Sequence, residues 1–243
     1  MTAPVPAPVP GFEAFVGRLR TRLAEAPGRP LPGYAAHAEM APFPSRTDPA
    51  VISVEGKTGR TAATLVLLYP GAGGEPCLVL TARQPGLRAH SGQISLPGGA
   101  TEPGETPEET ARREAREEIG VAVRAVDVLG RLTPIYVPPS RFRVWPVVAA
   151  IRTRPAFRVQ EAEVAAIIEA PVAAFTDPAA RRRRWRALSG TPAEVAGVDA
   201  FDVPFFAVPD GAAEHGAAEH EVWGATAMML AEFAAAVESA AGG

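Results

Sequence analysis

The 243-residue sequence predicts an α+β fold. Three observations carry that reading: paired β-rich apolar runs on either side of a Gly-rich turn, a strongly capped helix near the middle, and later strands interrupted by few helices. In chain order, M-T-A-P-V-P-A-P-V-P at residues 1–10 reads as a disordered or extended tail, because repeated proline suits neither helix nor sheet. Residues 11–60 read as an N-terminal helix and extension. Phe12, Phe15, Val16, Leu19 and Leu23 recur at helical spacing over 11–25, and the Pro- and Gly-rich stretch 27–44 reads as loop. The main domain is expected over 61–240. Thr61 to Tyr69 and Cys77 to Arg83 read as a hairpin around the turn 70–76, followed by a long irregular segment at 84–104. Thr106-Pro107-Glu108-Glu109 signals a helix start: Thr106 caps, Pro107 fits the first turn, Glu109 completes a capping box, and Gly120 supplies the stop. Strands are expected at 122–132, 142–151, 163–169 and 201–207. A closing helix over 225–237 carries the core stripe Ala225, Met229, Phe233 and Val237.

Composition narrows the function classes. An apolar fraction of 47% is that of an ordinary globular protein, and a net charge of −3 argues against bulk attraction to nucleic acid or anionic membranes. Cys77 is the single cysteine, which rules out an intramolecular disulfide framework and fits a reducing compartment; its apolar surroundings make it a small core residue. No window approaches the apolar length of a membrane helix, and the N-terminus lacks the basic and apolar regions of a signal peptide. A cytoplasmic, membrane-free protein is the expectation.

The chemistry concentrates between Gly99 and Val121. Glu114, Glu117 and Glu118 lie at helical spacing, so Glu114 meets Glu118 on one face and Glu117 lies alongside. Like charges crowded there repel unless a cation sits between them. Hard divalent cations prefer oxygen ligands, and Mg²⁺ commonly joins a few carboxylates to substrate phosphates. The bland alternative is a solvated helix laced with pairs such as Glu108–Arg112 and Glu109–Arg113, which leaves the glycines at their set distances unexplained.

The same stretch resembles the Nudix box: Gly, five residues, Glu, seven residues, Arg-Glu, an apolar residue, any residue, Glu-Glu, any residue, Gly, apolar. Gly99, Glu105, Arg113, Glu114, Ala115, Glu117, Glu118, Gly120 and Val121 fill its fixed positions. The resemblance implies a mixed sheet sandwiched between helices, with the box as a loop–helix–loop. It also implies Mg²⁺ or Mn²⁺ as cofactor, and water attack on the phosphorus of a nucleoside diphosphate linked to another group. Glu114, Glu117 and Glu118 would then be metal carboxylates, the Gly99 carbonyl a further ligand, and Arg113 with Glu105 a structural pair. Glu118 and Glu117 are candidates for the catalytic base.

Leu80-Thr81-x-Arg83, Arg88, Gly92 and Leu96-Pro97-Gly98-Gly99 resemble, at matching spacing, the signature that accompanies the box in coenzyme A pyrophosphatases. Val79, Gln84 and Leu96 depart from it. Gln160-Glu161-Ala162-Glu163-Val164 and Val222-Trp223-Gly224-Ala225-Thr226-Ala227 resemble further segments of that subfamily, which makes Glu163 a second candidate ligand or base. The implied substrate is coenzyme A or a derivative. Arg83, Arg88 and His90 are then candidate substrate contacts, since guanidinium binds phosphate through a planar fork. A Nudix enzyme of ADP-ribose or a dinucleotide is the competing reading, and a non-catalytic nucleotide- or RNA-binding domain a weaker one. The run Arg181-Arg182-Arg183-Arg184-Trp185-Arg186 reads as a solvated edge or turn rather than a nucleic-acid platform, and Glu214-His215 with Glu219-His220-Glu221 reads as loop. Oligomeric state is not legible.

Overall fold

The computed structural model describes residues 9–24, 30–42, 48–85, 93–187, 200–209 and 219–242. Three helices lead, α1 (Pro10–Ala24), α2 (Tyr34–Met40) and α3 (Pro49–Ile52). The hairpin β1 (Arg60–Pro70) and β2 (Pro76–Arg83) follows, then β3 (Ile94–Ser95), β4 (Gly98–Ala100) and the helix α4 (Pro107–Ile119). Next come β5 (Asp127–Arg131), β6 (Ile135–Val137), β7 (Phe142–Ala150), β8 (Val164–Pro171) and α5 (Ala173–Thr176). The chain continues through β9 (Arg181–Ala187), β10 (Ala200–Val208), β11 (His220–Trp223) and α6 (Gly224–Ala241).

Among the described residues, eight strands make one mixed sheet. Its spine runs β3-β2-β1-β7-β5, with β8 also on β2, β4 also on β1 and β6 also on β7. Only the central pair β1–β7 is parallel, from Arg60 opposite Phe142 to Leu68 opposite Ala150. A strand in the middle of a covered sheet loses the polar–apolar alternation, which explains the unbroken run Leu65-Val66-Leu67-Leu68 in β1. Ala63, Leu65, Leu67 and Tyr69 face one way and pack with Ala111, Ala115 and Ile119 of α4. Ala62, Val66 and Leu68 face the other and pack with Phe12, Val16 and Leu19 of α1 and Met229, Phe233 and Ala236 of α6. The α+β architecture, a mixed sheet between helices, is therefore as the sequence predicts. Cys77 is buried in the α4-side core.

Glu232 in the middle of α6 is fully buried and ties three parts of the chain together. It accepts the Gly33 N–H at 3.1 Å, the Thr133 N–H at 2.9 Å and the Thr133 hydroxyl at 2.6 Å, and its other close partner is His37 Nε2 at 3.0 Å. A buried carboxylate is tolerated because donors surround it.

Several elements differ from the sequence reading. The stretch 27–44, expected as loop, contains α2; seven residues are too few to show a period, and the helix is held by packing of Ala36 and Met40 and by the His37–Glu232 contact. The segment 84–104 is not wholly irregular, since β3 and β4 lie in it as short additions to β2 and β1. The strand expected at 122–132 begins with a 3-10 turn at Val123–Ala125 and is extended only over β5. His220 and Glu221 are not loop: His220 opens β11, with Glu219 just ahead of it in irregular chain. The arginine run is β9, the outer strand of a second sheet ordered β11-β10-β9. Arg181 pairs with Glu39, Arg182 with Glu219, Arg183 with Asp202 and Arg184 with Glu221, so the charge of these four is matched within the chain, and Trp185 stands 74% exposed. No helix among the described residues is long and apolar enough to cross a membrane. Residues 1–8 of the proline-rich tail and the Glu214-His215 dipeptide lie outside the described residues; Pro10, the tail's last residue, opens α1.

Candidate functional site

Helix α4 begins as its sequence dictates. The Thr106 hydroxyl accepts the Glu109 N–H at 3.3 Å, and the Glu109 carboxylate accepts the Thr106 N–H at 2.8 Å. Gly120 ends the helix in the left-handed region at φ 71°. Small Ala111 and Ala115 let α4 settle closely on β1, which turns Glu114, Glu117 and Glu118 toward the loop before the helix. Two glycines permit that loop to pass so near. A Cβ on Gly98 would lie 2.4 Å from the Ala63 carbonyl oxygen, and one on Gly99 would lie 2.4 Å from Glu114 Oε1.

Arg113 is the local hub. Its Nε donates to Glu105 at 2.7 Å and its Nη2 to the other Glu105 oxygen at 3.1 Å, a two-pronged grip on the loop. The same Nη2 reaches the Ala100 carbonyl at 2.9 Å, while Nη1 donates to Glu114 at 2.8 Å and to Glu117 at 3.2 Å. The Arg113 guanidinium holds the Glu105 carboxyl down at about 2, and Glu105 in turn raises the arginine. The i,i+4 pairs expected on this helix are replaced: Glu108 reaches Arg131, and Arg112 donates to the Val126 carbonyl.

Glu118 is 7% exposed and accepts the Gly98 N–H at 3.1 Å. Burial pushes its carboxyl up to about 7, and the charges of Glu114 and Glu163 push the same way, against the Gly98 hydrogen bond and Arg83. Burial also raises Glu114, although Arg113 opposes it. Glu163 comes to this side because the turn before β8 is stitched to α4: Gln160 N–H donates to the Glu118 carbonyl at 2.9 Å, and Glu163 N–H to the Gln160 carbonyl at 2.9 Å. Glu114, Glu117, Glu118, Gln160 and Glu163 line one cavity of about 320 Å³.

Arg83 ends β2 on the neighbouring side of Gly98, and both line a second cavity. Arg88 and His90 lie outside the described residues. Gln160, the Gly98 N–H and the start of α6 join the site; the sequence places all three within the segments that resemble the subfamily but gives none of them a role. Among the described residues no three acidic, His or Cys side chains are already drawn together at metal-ligand distances. The donor set nevertheless fits a hard divalent cation: several carboxylate oxygens beside a glycine loop, their surplus negative charge only partly offset by Arg113 and Arg116.

A capped helix and its entry loop lie over one face of a mixed sheet and bear an acidic cavity, an arrangement of carboxylate oxygens that suits a divalent cation. The chain belongs to the NUDIX domain family, which matches residues 59–188, more than half of its length. The Nudix hydrolase NudL of Yersinia enterocolitica is 42% identical over 99 residues, covering 40% of this chain and 50% of that protein. Nudix hydrolase 22, chloroplastic, of Arabidopsis thaliana is 40% identical over 126 residues, covering 51% of this chain and 41% of that protein. The chain thus spans about half the length of the curated relatives it matches. Among solved structures, the Nudix hydrolase RenU of M. smegmatis superposes with a TM-score of 0.40 at 26% identity, covering 51% of this chain and 79% of that one.

Proposed function

We propose that this protein is a Nudix hydrolase that cleaves the pyrophosphate bond of coenzyme A or a derivative with Mg²⁺ or Mn²⁺. The products are adenosine 3′,5′-bisphosphate and 4′-phosphopantetheine or its acyl form. The observation that carries the reading is the cavity in which Glu114, Glu117, Glu118 and Glu163 converge beside the glycine loop. When bound there, the cation supplies positive charge against the phosphate oxygens and makes water a better nucleophile. Glu114, Glu117, Glu118 and the Gly99 carbonyl are its proposed ligands.

Glu118 and Glu163 are the proposed proton acceptors from the attacking water, with Glu117 the third candidate. Glu118 is buried and aligned by the Gly98 N–H; Glu163 is exposed and sits across the cavity. Arg113 and Glu105 act as positioning residues, because they touch loop and carboxylates rather than the cavity. Arg83 approaches from the strand side and is placed to bind phosphate. Coenzyme A is favoured by Arg83 and Leu96-Pro97-Gly98-Gly99 standing at the spacing of the coenzyme A signature. The competing substrate class is ADP-ribose or a dinucleotide.

Product analysis after incubation with coenzyme A and either metal, with Glu118→Gln alongside, tests the proposal. Metal-dependent release of 4′-phosphopantetheine, lost in the variant, is expected. Cleavage of ADP-ribose but not of coenzyme A would keep the hydrolase and overturn the substrate.

A further inference from the structure

The sheet face that α4 covers turns polar toward the start of β1. Ala63, the first apolar residue of β1 on that face, stands between Gly99 of β4 and Trp145 of β7. Two residues earlier, Thr61 stands opposite Arg143 of β7, and Arg143 stands opposite Tyr136 of β6. On the other side of Thr61, its carbonyl accepts the Thr101 N–H at 2.9 Å. Residues two apart along a strand, and residues directly opposite across strands, share a face. Thr101, Thr61, Arg143 and Tyr136 therefore form one row on the α4 side, and the Lys57 ammonium lies 5.5 Å from the centre of the Tyr136 ring.

This row holds cations without counter-ions. Arg143 Nη2 donates to the Thr61 hydroxyl at 3.2 Å, its one hydrogen bond among the described residues. Arg143 Nε and the Thr101 hydroxyl are buried, and neither has a partner among the described residues. Arg152, Arg181 and Arg184 also hide an unpaired nitrogen, but each meets a carboxylate through another one. Arg112 has the Val126 carbonyl. Arg143 has neither, and Lys57 makes no ion pair among the described residues. The loop after Thr101 brings no remedy: Glu105 is held by Arg113, and Glu102 is exposed and enters no ion pair among the described residues. A half-buried guanidinium without an anion, beside a buried hydroxyl without a partner, is costly unless something else completes them.

Guanidinium, ammonium and hydroxyl donors share one complement, an oxyanion. The guanidinium reaches over β1, and Thr101 is one strand spacing of about 4.8 Å further on, a gap that a single tetrahedral oxyanion bridges. The acidic cavity lies the other way along the same face, past Gly99, and its carboxylates repel a free anion where this row attracts one.

We propose that this row binds a free tetrahedral oxyanion of the size of inorganic phosphate, apart from the metal cavity. Arg143 and the Thr101 hydroxyl hold it, and Lys57 adds positive charge from the Tyr136 end. The site does not depend on the hydrolase reading, and each stands or falls alone.

Calorimetric titration of the metal-free full chain with inorganic phosphate, near neutral pH and at low ionic strength, tests it. Saturable binding is expected with a Kd of about 1 mM or tighter. Arg143→Met should weaken it about tenfold or more, the size of a lost charge-assisted hydrogen bond. Thr101→Val should weaken it as well, and Thr101→Ser should restore it. Arg83→Gln, in the other cavity, should leave it unchanged. If the Arg143→Met chain does not fold, Arg143→Lys, which keeps the charge and loses the planar fork, takes its place with the same direction expected. No saturable binding by the wild type, an affinity indifferent to Arg143, or one lost with Arg83→Gln instead overturns the proposal.

Discussion

Glu118→Gln should make the metal-free protein more stable at alkaline pH while abolishing its metal response. Glu118 has its carboxyl raised from 4.5 to about 7 by burial, with Glu114 and Glu163 adding repulsion. A carboxyl whose folded pKa lies above its unfolded value favours the fold while protonated. The metal-free protein therefore loses stability as pH rises from about 4.5 to about 7, and has paid in full by pH 8. A shift of that size corresponds to roughly 3 kcal/mol at 1.36 kcal/mol per unit. Glutamine keeps the acceptor for the Gly98 N–H but brings an amide that needs its own partner, so the net gain should be on the order of 1–3 kcal/mol. For a chain of this length that is roughly 3–10 °C in Tm. Thermal unfolding in EDTA at pH 8 and pH 4, then at pH 8 with Mg²⁺, provides the assay. The variant should melt higher than wild type at pH 8 in EDTA, and the same as wild type at pH 4. Mg²⁺ should raise the wild type and leave the variant unmoved. A variant no more stable at pH 8, or equally favoured at pH 4, would refute burial of an ionised Glu118 as the cause.

Glu105 works with the opposite sign: its folded carboxyl lies near 2, so its contribution is present above about 4.5 and is lost as pH falls toward 2. Glu105→Gln should cost on the order of 1–3 kcal/mol at pH 7 and flatten the acid limb of a stability–pH curve measured by urea unfolding. Gly99→Ala places a methyl 2.4 Å from the end of the Glu114 side chain, which can swing away. Its Tm should move by a few degrees at most, whereas calorimetric Mg²⁺ affinity should fall about tenfold or more; unchanged affinity would remove Glu114 from the ligand set. Glu232→Ala strips an acceptor from Gly33, Thr133 and His37 in a fully buried setting, and chemical denaturation should show a loss of roughly 3–5 kcal/mol.

The parts legible in the sequence were those written by local rules. The Thr106–Glu109 capping box and the Gly120 stop are short-range devices, and α4 follows them residue for residue. The β1–β2 hairpin was readable from two apolar runs and a glycine turn. What escaped was decided at a distance. Helix α2 is too short to carry a period and stands on Glu232, nearly two hundred residues away. Strands β3 and β4 are two and three residues long and exist because β2 and β1 offer free edges. In the site, residues of one helix could be grouped by spacing, so Glu114, Glu117 and Glu118 were found together. The Gly98 N–H that steadies Glu118, and the meeting of Arg83 with the start of α6, depend on how the sheet stacks on the helices. Spacing along the chain says nothing of that.

The hydrogen bonds at Glu232 bear on where this domain begins and ends as a folding unit. The family matches residues 59–188, but one face of the sheet is covered by α1 and α6, which both fall outside that span. Gly33 and His37 come from the leading segment, Glu232 from the trailing helix and Thr133 from the matched core, and they share one buried carboxylate. The flanks are therefore not appendages that could be trimmed to leave a minimal domain. Cut at the family limits, the chain would expose Val66, Leu68 and Val148 to water and leave the Thr133 N–H without its acceptor. Its autonomy as a module is wider than its family signature.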